Sequence, residues 1–176
     1  RNAIYHFIIL DFWIIVLFAA MNASLQSFKR ELNQQALFFY TLAKPRAIIL
    51  SKTIYNSGLL ISLTLLSYFI YSLFLGNPIT AHLSFILCII LGSSAIASTL
   101  TLVAAIASKT NNSAGLMAVL CLPLLFPLLL NLIKTSKLCL SADLYFLAVN
   151  ELLFLVLLNI VSVLLSYLLF PYIWRD

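Results

Sequence analysis

The sequence predicts an all-α membrane protein, a polytopic bundle of helices, and three observations carry that prediction. Of the 176 residues, 64% are hydrophobic and 9% are charged, whereas an average soluble chain has about 25% charged residues. Mean hydropathy is +1.12, so a water-soluble fold would be left with wide apolar patches for association to hide. Five apolar runs of span length follow one another, with short connections after every run but the first. A membrane β-barrel needs alternating apolar and polar residues in segments of about 10, but Leu122 to Leu130 and Leu152 to Leu158 offer no polar face. Spans of about 20 residues each take up the chain and leave no room for a catalytic domain. Any enzymatic activity is therefore expected in a partner chain.

In order, the predicted spans are Tyr5 to Leu25, Ile54 to Leu75, Leu83 to Ala107, Leu116 to Ile133 and Ala148 to Trp174. Pro171 lies near the end of the fifth, where a proline can stop a helix without breaking its middle. The whole chain, 1–176, reads as one transmembrane domain. Lysine and arginine set its orientation: Lys29, Arg30, Lys44, Arg46, Lys52, Lys109 and Arg175 fall on one side, and Arg1, Lys134 and Lys137 on the other. The richer side is cytoplasmic by the positive-inside rule. The chain opens on Arg1, outside, and ends inside, which fits an intact protein of six spans with one upstream of Arg1.

Residues 26–45 form the most informative connection. Phe28, Leu32, Ala36, Phe39, Tyr40 and Ala43 recur at helical spacing, while Lys29, Arg30, Asn33, Gln34 and Lys44 occupy other faces, the pattern of an amphipathic cytoplasmic helix. One reading is a helix lying on anionic headgroups. The other is a docking helix for a soluble partner, because Leu37, Phe38, Phe39 and Tyr40 make its end apolar on more than one side. Pro45 then resets the chain and suits the first turn of the next helix.

Within the spans, Gly92, Ser93, Ala97, Thr101 and Ala105 place small side chains along one face of the third. Close helix packing is the expected use, and a polar lining for a substrate path is the alternative. Pro123 and Pro127 are expected to kink or locally unwind the fourth span, a device common in transporters. Asp11 and Glu151 are acids inside apolar runs near the outer side, and such acids are functional candidates. His6 and His82 stand alone, and Cys88, Cys121 and Cys139 form no CxxC or CxxCH, so no metal, heme ligand or disulfide is drawn from them. No phosphate-binding loop is present, and the +5 charge is explained by loop topology without nucleic acid.

The ordered segments SLQSFKRE, TLAKPRAIILSK, ILGSS, KTNNSAG, LCLPLLFPLLL and LSYLLFPYIWR together resemble CcmB, the permease family of cytochrome c maturation. The similarity runs from Trp13 to Arg175, and LPLLFP with the polar loop before it is its most specific piece. Many members carry a Gly-x-Leu-Glu step and a Pro-Leu-Pro run where this chain has Gln35 to Phe38 and Leu42 to Pro45. The resemblance implies a permease of the ABC-2 kind in the bacterial inner (plasma) membrane. Its ATPase partner CcmA would dock on Phe28, Lys29, Arg30, Glu31, Leu32, Leu37, Phe38, Phe39, Tyr40 and Lys44. It further implies CcmC, CcmD and the heme chaperone CcmE as partners, with a homodimer inside the complex as a further option. ATP would act through the partner, and heme would be handled by the complex with no cofactor bound directly here. The outcome is either heme export or ATP-driven release of the heme-loaded chaperone. Export of another lipid or small molecule, or a purely structural scaffold, are the alternatives.

Overall fold

A computed structural model describes residues 2–34, 45–75, 79, 81–107, 113–140 and 145–175. Five helices make up the fold: α1 (Asn2–Gln34), α2 (Pro45–Leu75), α3 (His82–Ala107), α4 (Ser113–Leu138) and α5 (Tyr145–Arg175). Each contains a stretch long and apolar enough to cross a membrane. The chain is an all-α, multi-pass helical bundle with no strand among the described residues.

Several helix boundaries differ from those the sequence predicts, each for a local reason. α1 does not stop at Leu25 but continues to Gln34, because Gln26 to Gln34 contains no glycine or proline and is rich in good helix formers. The first nine residues of the amphipathic segment therefore prolong the first span rather than opening a new helix. Leu37, Phe38, Phe39, Tyr40 and Lys44 lie outside the described residues, as do the side chains of Phe28, Lys29, Arg30, Glu31 and Leu32. α2 starts at Pro45, not Ile54, since proline is preorganised for a first helical position. Arg46 and Lys52 thus belong to the helix instead of a loop. α4 likewise runs on to Leu138 and takes in Lys134 and Lys137.

The prolines of α4 lie well inside the helix. The helix is uninterrupted through Pro123 and Pro127, so no unwound segment forms at mid-membrane. Both rings lie on the exposed face with Leu122 and Phe126; each removes one hydrogen bond of its own helix, a loss that the remaining bonds of α4 carry without unwinding.

α3 occupies the middle. It touches all four other helices, and these touch one another in the cyclic order α1, α2, α5, α4. In α3, 72% of the span is buried, against 11% to 33% for the others. Its composition makes this possible, because Gly92, Ala95, Ala97, Ala104 and Ala105 are all buried and small side chains let backbones approach closely. The core around it is built from Trp13, Val16, Leu60, Leu100, Met117, Leu128, Leu132 and Leu155.

Gly92 marks the tightest approach. A Cβ there would run into the Cδ2 of Leu132 and come within 3.1 Å of Trp13, and both neighbours are fully buried. By contrast, a Cβ on Gly58 meets nothing within 4 Å. Replacing Gly92 by valine is therefore expected to destabilise the bundle by about 1–3 kcal/mol, while Gly58→Ala is neutral or stabilising by up to about 1 kcal/mol. Melting of the two variants in detergent, compared with the wild type, checks both signs.

Candidate functional site

A helix at the centre of a membrane bundle has its polar side chains sealed from water, so each must find a partner inside. α3 has many, and its neighbours supply the partners. On the α2 side, Ser93 Oγ donates to Thr64 Oγ1 at 3.0 Å, and Thr64 in turn donates to the Leu60 carbonyl at 2.7 Å. Eight residues along each helix, Asn56 Nδ2 donates to Thr101 Oγ1 at 3.0 Å, and Thr101 donates to the Ala97 carbonyl at 2.6 Å. Thr64 and Thr101 each accept one bond and give another, so both hydroxyl protons are used. The two contacts keep one antiparallel register over about 12 Å.

The α5 side repeats the device. Asn159 Nδ2 donates to Ser94 Oγ and to the Leu91 carbonyl at 3.4 Å, and Ser166 Oγ reaches the Ser98 carbonyl at 3.4 Å. Toward the end of the bundle where α1 begins, Trp13 Nε1 of α1 donates to Ser136 Oγ of α4 at 2.9 Å, and Ser136 lies 3.8 Å from Cys88 Sγ of α3. Helices α1, α3 and α4 thus share one hydroxyl.

Of the predicted packing residues, Gly92, Ser93, Ala97, Thr101 and Ala105 are all buried. Ser93 and Thr101 face α2, and Gly92 faces Trp13 and Leu132. α3 itself fills the space where a central path through one copy would run. Gly92, Ser93 and Thr101 therefore lie in helix–helix contacts on more than one side of α3.

The two ends of the bundle carry the charges. Near the end where α1 begins, Asp11 is exposed and accepts a hydrogen bond from the Tyr71 hydroxyl at 2.9 Å. An aromatic cluster lies behind it: Phe12 packs edge-on to Trp13 at 5.3 Å and to Tyr71 at 5.6 Å, and Tyr68 lies 5.1 Å from Phe85. Glu151 pairs with Lys134, tying α5 to α4 at the same end. The Ala81 amide bonds the Cys139 carbonyl at 3.2 Å. Burial pushes the Cys139 thiol up to about 11, so at neutral pH it is an inert thiol rather than a nucleophile.

At the opposite end, the Arg46 guanidinium stands 5.0 Å over the Tyr167 ring and joins α2 to α5. Lys52 is only 8% exposed. The register of Asn56 against Thr101, carried one turn further, sets Lys52 at the level of Ala105 in the last turn of α3. A cation is favoured beside the free carbonyls at a helix C-terminus. A lateral groove of about 680 Å³ opens along α2, lined by Ile54, Tyr55, Gly58, Leu59, Ser62 and Leu63.

Among the described residues no group of three or more His, Cys, Asp or Glu could hold a metal ion. The sequence reading had passed over Asn56, Thr64, Ser136 and Asn159, which make the contacts between helices. Their signal was available, because an asparagine or hydroxyl inside an apolar span needs a partner helix. Comparison with known proteins returns no matching family model, no matching curated protein and no matching solved structure.

The Asn56–Thr101 contact makes a testable pair. Thr101→Val removes the acceptor and leaves the buried amide unpaired, at an expected cost of about 0.6–1.7 kcal/mol. Asn56→Leu with Thr101→Val removes both partners, so the double variant should lose less than the sum of the singles. Thermal unfolding of the three variants in detergent measures the coupling.

Proposed function

We propose that the chain is the non-catalytic transmembrane subunit of an ATP-binding cassette complex of the cytochrome c maturation type, in the bacterial inner membrane. In this reading a separate ATPase, CcmA, docks on residues 26–45. Its hydrolysis cycle moves the membrane helices and promotes release of the heme-loaded chaperone CcmE from CcmC and CcmD. The observation that carries the reading is the unbroken run of α1. The apolar span of α1 ends at Ser24 but the helix continues to Gln34, about 15 Å further, with Lys29 and Arg30 on the extension.

A continuous helix transmits a push at one end to the other. In α1 the far end is fixed, because Trp13 shares Ser136 with α3 and α4. A force on the extension therefore reaches the hydroxyl where three helices meet. With α3 filling the middle of the bundle, movement of whole helices fits better than passage of a solute through one copy. The lateral groove on α2 supports a second reading, export of a lipid or other small molecule along the outer surface of the bundle.

The test is made in the intact complex. Phe38, Phe39 and Tyr40 are replaced together by alanine, and in a second variant Arg30→Pro breaks the lever. Both should leave the protein in the membrane, lower c-type cytochrome levels and abolish the effect of the membrane part on ATPase rate. The alanine variant should also lose co-purification with the ATPase. Unchanged cytochromes and unchanged co-purification would overturn the proposal, and a bound small molecule or lipid moved with normal cytochromes would favour the second reading.

A further inference from the structure

The outward face of α1 carries polar side chains where hydrocarbon would otherwise lie. Phe7, Asp11, Ile15, Phe18 and Asn22 are all exposed, and at about 100° per residue they fall on one stripe of the helix. Asp11 lies about 6 Å along the helix from Phe7, where the apolar span begins, and Asn22 about 16 Å beyond it. The outward faces of α4 and α5 differ. They present Val119, Leu122, Phe126 and Leu130, and Leu153, Leu157, Ile160 and Leu164, all exposed and all apolar.

Asp11 is only partly satisfied. It takes one hydrogen bond from the neutral Tyr71 hydroxyl, and the ion pair found among the described residues joins Lys134 to Glu151 instead. A carboxylate can accept about four bonds and is stabilised most by a cation. Asn22 gives its amide to the Phe18 carbonyl at 3.1 Å, and its carboxamide oxygen remains an open acceptor. Polar groups within spans face protein or water-filled space far more often than lipid.

We propose that this stripe of α1 is the docking face for a transmembrane helix of a different chain, one that brings a lysine, arginine or histidinium to the level of Asp11 and a hydrogen-bond donor to the level of Asn22. Charge complementarity selects that occupant. A second copy meeting the first through the same stripe, about an axis normal to the membrane, would set Asp11 against Asp11, and two facing carboxylates repel. A lipid ammonium could reach Asp11 but leaves Asn22 unserved. The inference does not depend on the complex proposed above, because it needs only a membrane partner with this pattern.

The experiment places a photoreactive benzoylphenylalanine at Ile15 in the intact protein in native membranes, with Leu157 on α5 as the control position. A discrete protein adduct is expected at Ile15 and not at Leu157, and the adduct span should contain a basic residue. Asp11→Asn keeps an acceptor for Tyr71 and hence the fold, yet should lower the adduct yield at least about tenfold. Asp11→Glu should retain it, and Asp11→Lys should recover it when the partner's basic residue is exchanged for aspartate. Lipid adducts alone, a cross-link to another span of the same chain, an adduct with a second copy, a partner span without a basic residue, or a yield indifferent to Asp11→Asn would each overturn the proposal.

Discussion

Everything in this bundle is arranged around one constraint: a helix rich in serine, threonine, alanine and glycine sits where no water can reach it. Inside a bilayer there is no hydrophobic force to press apolar helices together, so packing and hydrogen bonds between them decide the fold. α3 meets both demands. Its small side chains bring neighbouring backbones close, as at Gly92 against Leu132 and Trp13. Its hydroxyls then find Thr64 and Asn56 on α2, and Asn159 and Ser166 on α5. If α3 shifted, several buried polar groups would lose partners at once, which makes its position discrete rather than adjustable.

That arrangement shapes how motion can pass through the protein. Contacts made by single hydroxyls between rigid helices favour a few well-defined packings over gradual deformation. α1 reaches this network through Trp13 and Ser136, and its other end leaves the apolar span as a continuous helix. α2 begins at Pro45 and carries Arg46 against Tyr167 of α5. The segment between Gln34 and Pro45 is thus joined at both ends to helices that grip α3. A partner acting on that segment would address two sides of the central helix together.

Much of this could be read from the amino-acid order. Hydropathy and span length sufficed for five helices, because nothing else hides runs such as Leu152 to Leu158. The small-residue face of α3 was equally legible from the spacing of Ser93, Ala97, Thr101 and Ala105. Helix ends were not. Hydropathy marks where a helix leaves the apolar layer, while the backbone runs on through polar residues of good helical propensity, so α1, α2 and α4 each outrun the spans that hydropathy predicts. The prolines of α4 do not unwind it, because each costs its own helix one hydrogen bond and the neighbouring bonds hold the helix continuous. The pairing of Asp11 with Tyr71 joins residues 60 apart, and no local pattern reveals such a partner. The coupling residues from Leu37 to Lys44 rest on sequence alone.

The central claim is that α3 is the fixed element on which the other four helices depend. Hydrogen–deuterium exchange of the intact protein in detergent tests it directly, peptide by peptide. By intrinsic propensity α3, with its glycine, serines and threonines, should open more readily than the leucine-rich α5. The account predicts the reverse, with amides from Gly92 to Ala105 exchanging slowest in the molecule and at the rate of global unfolding. Exchange there as fast as in the exposed turns of α5 would contradict it.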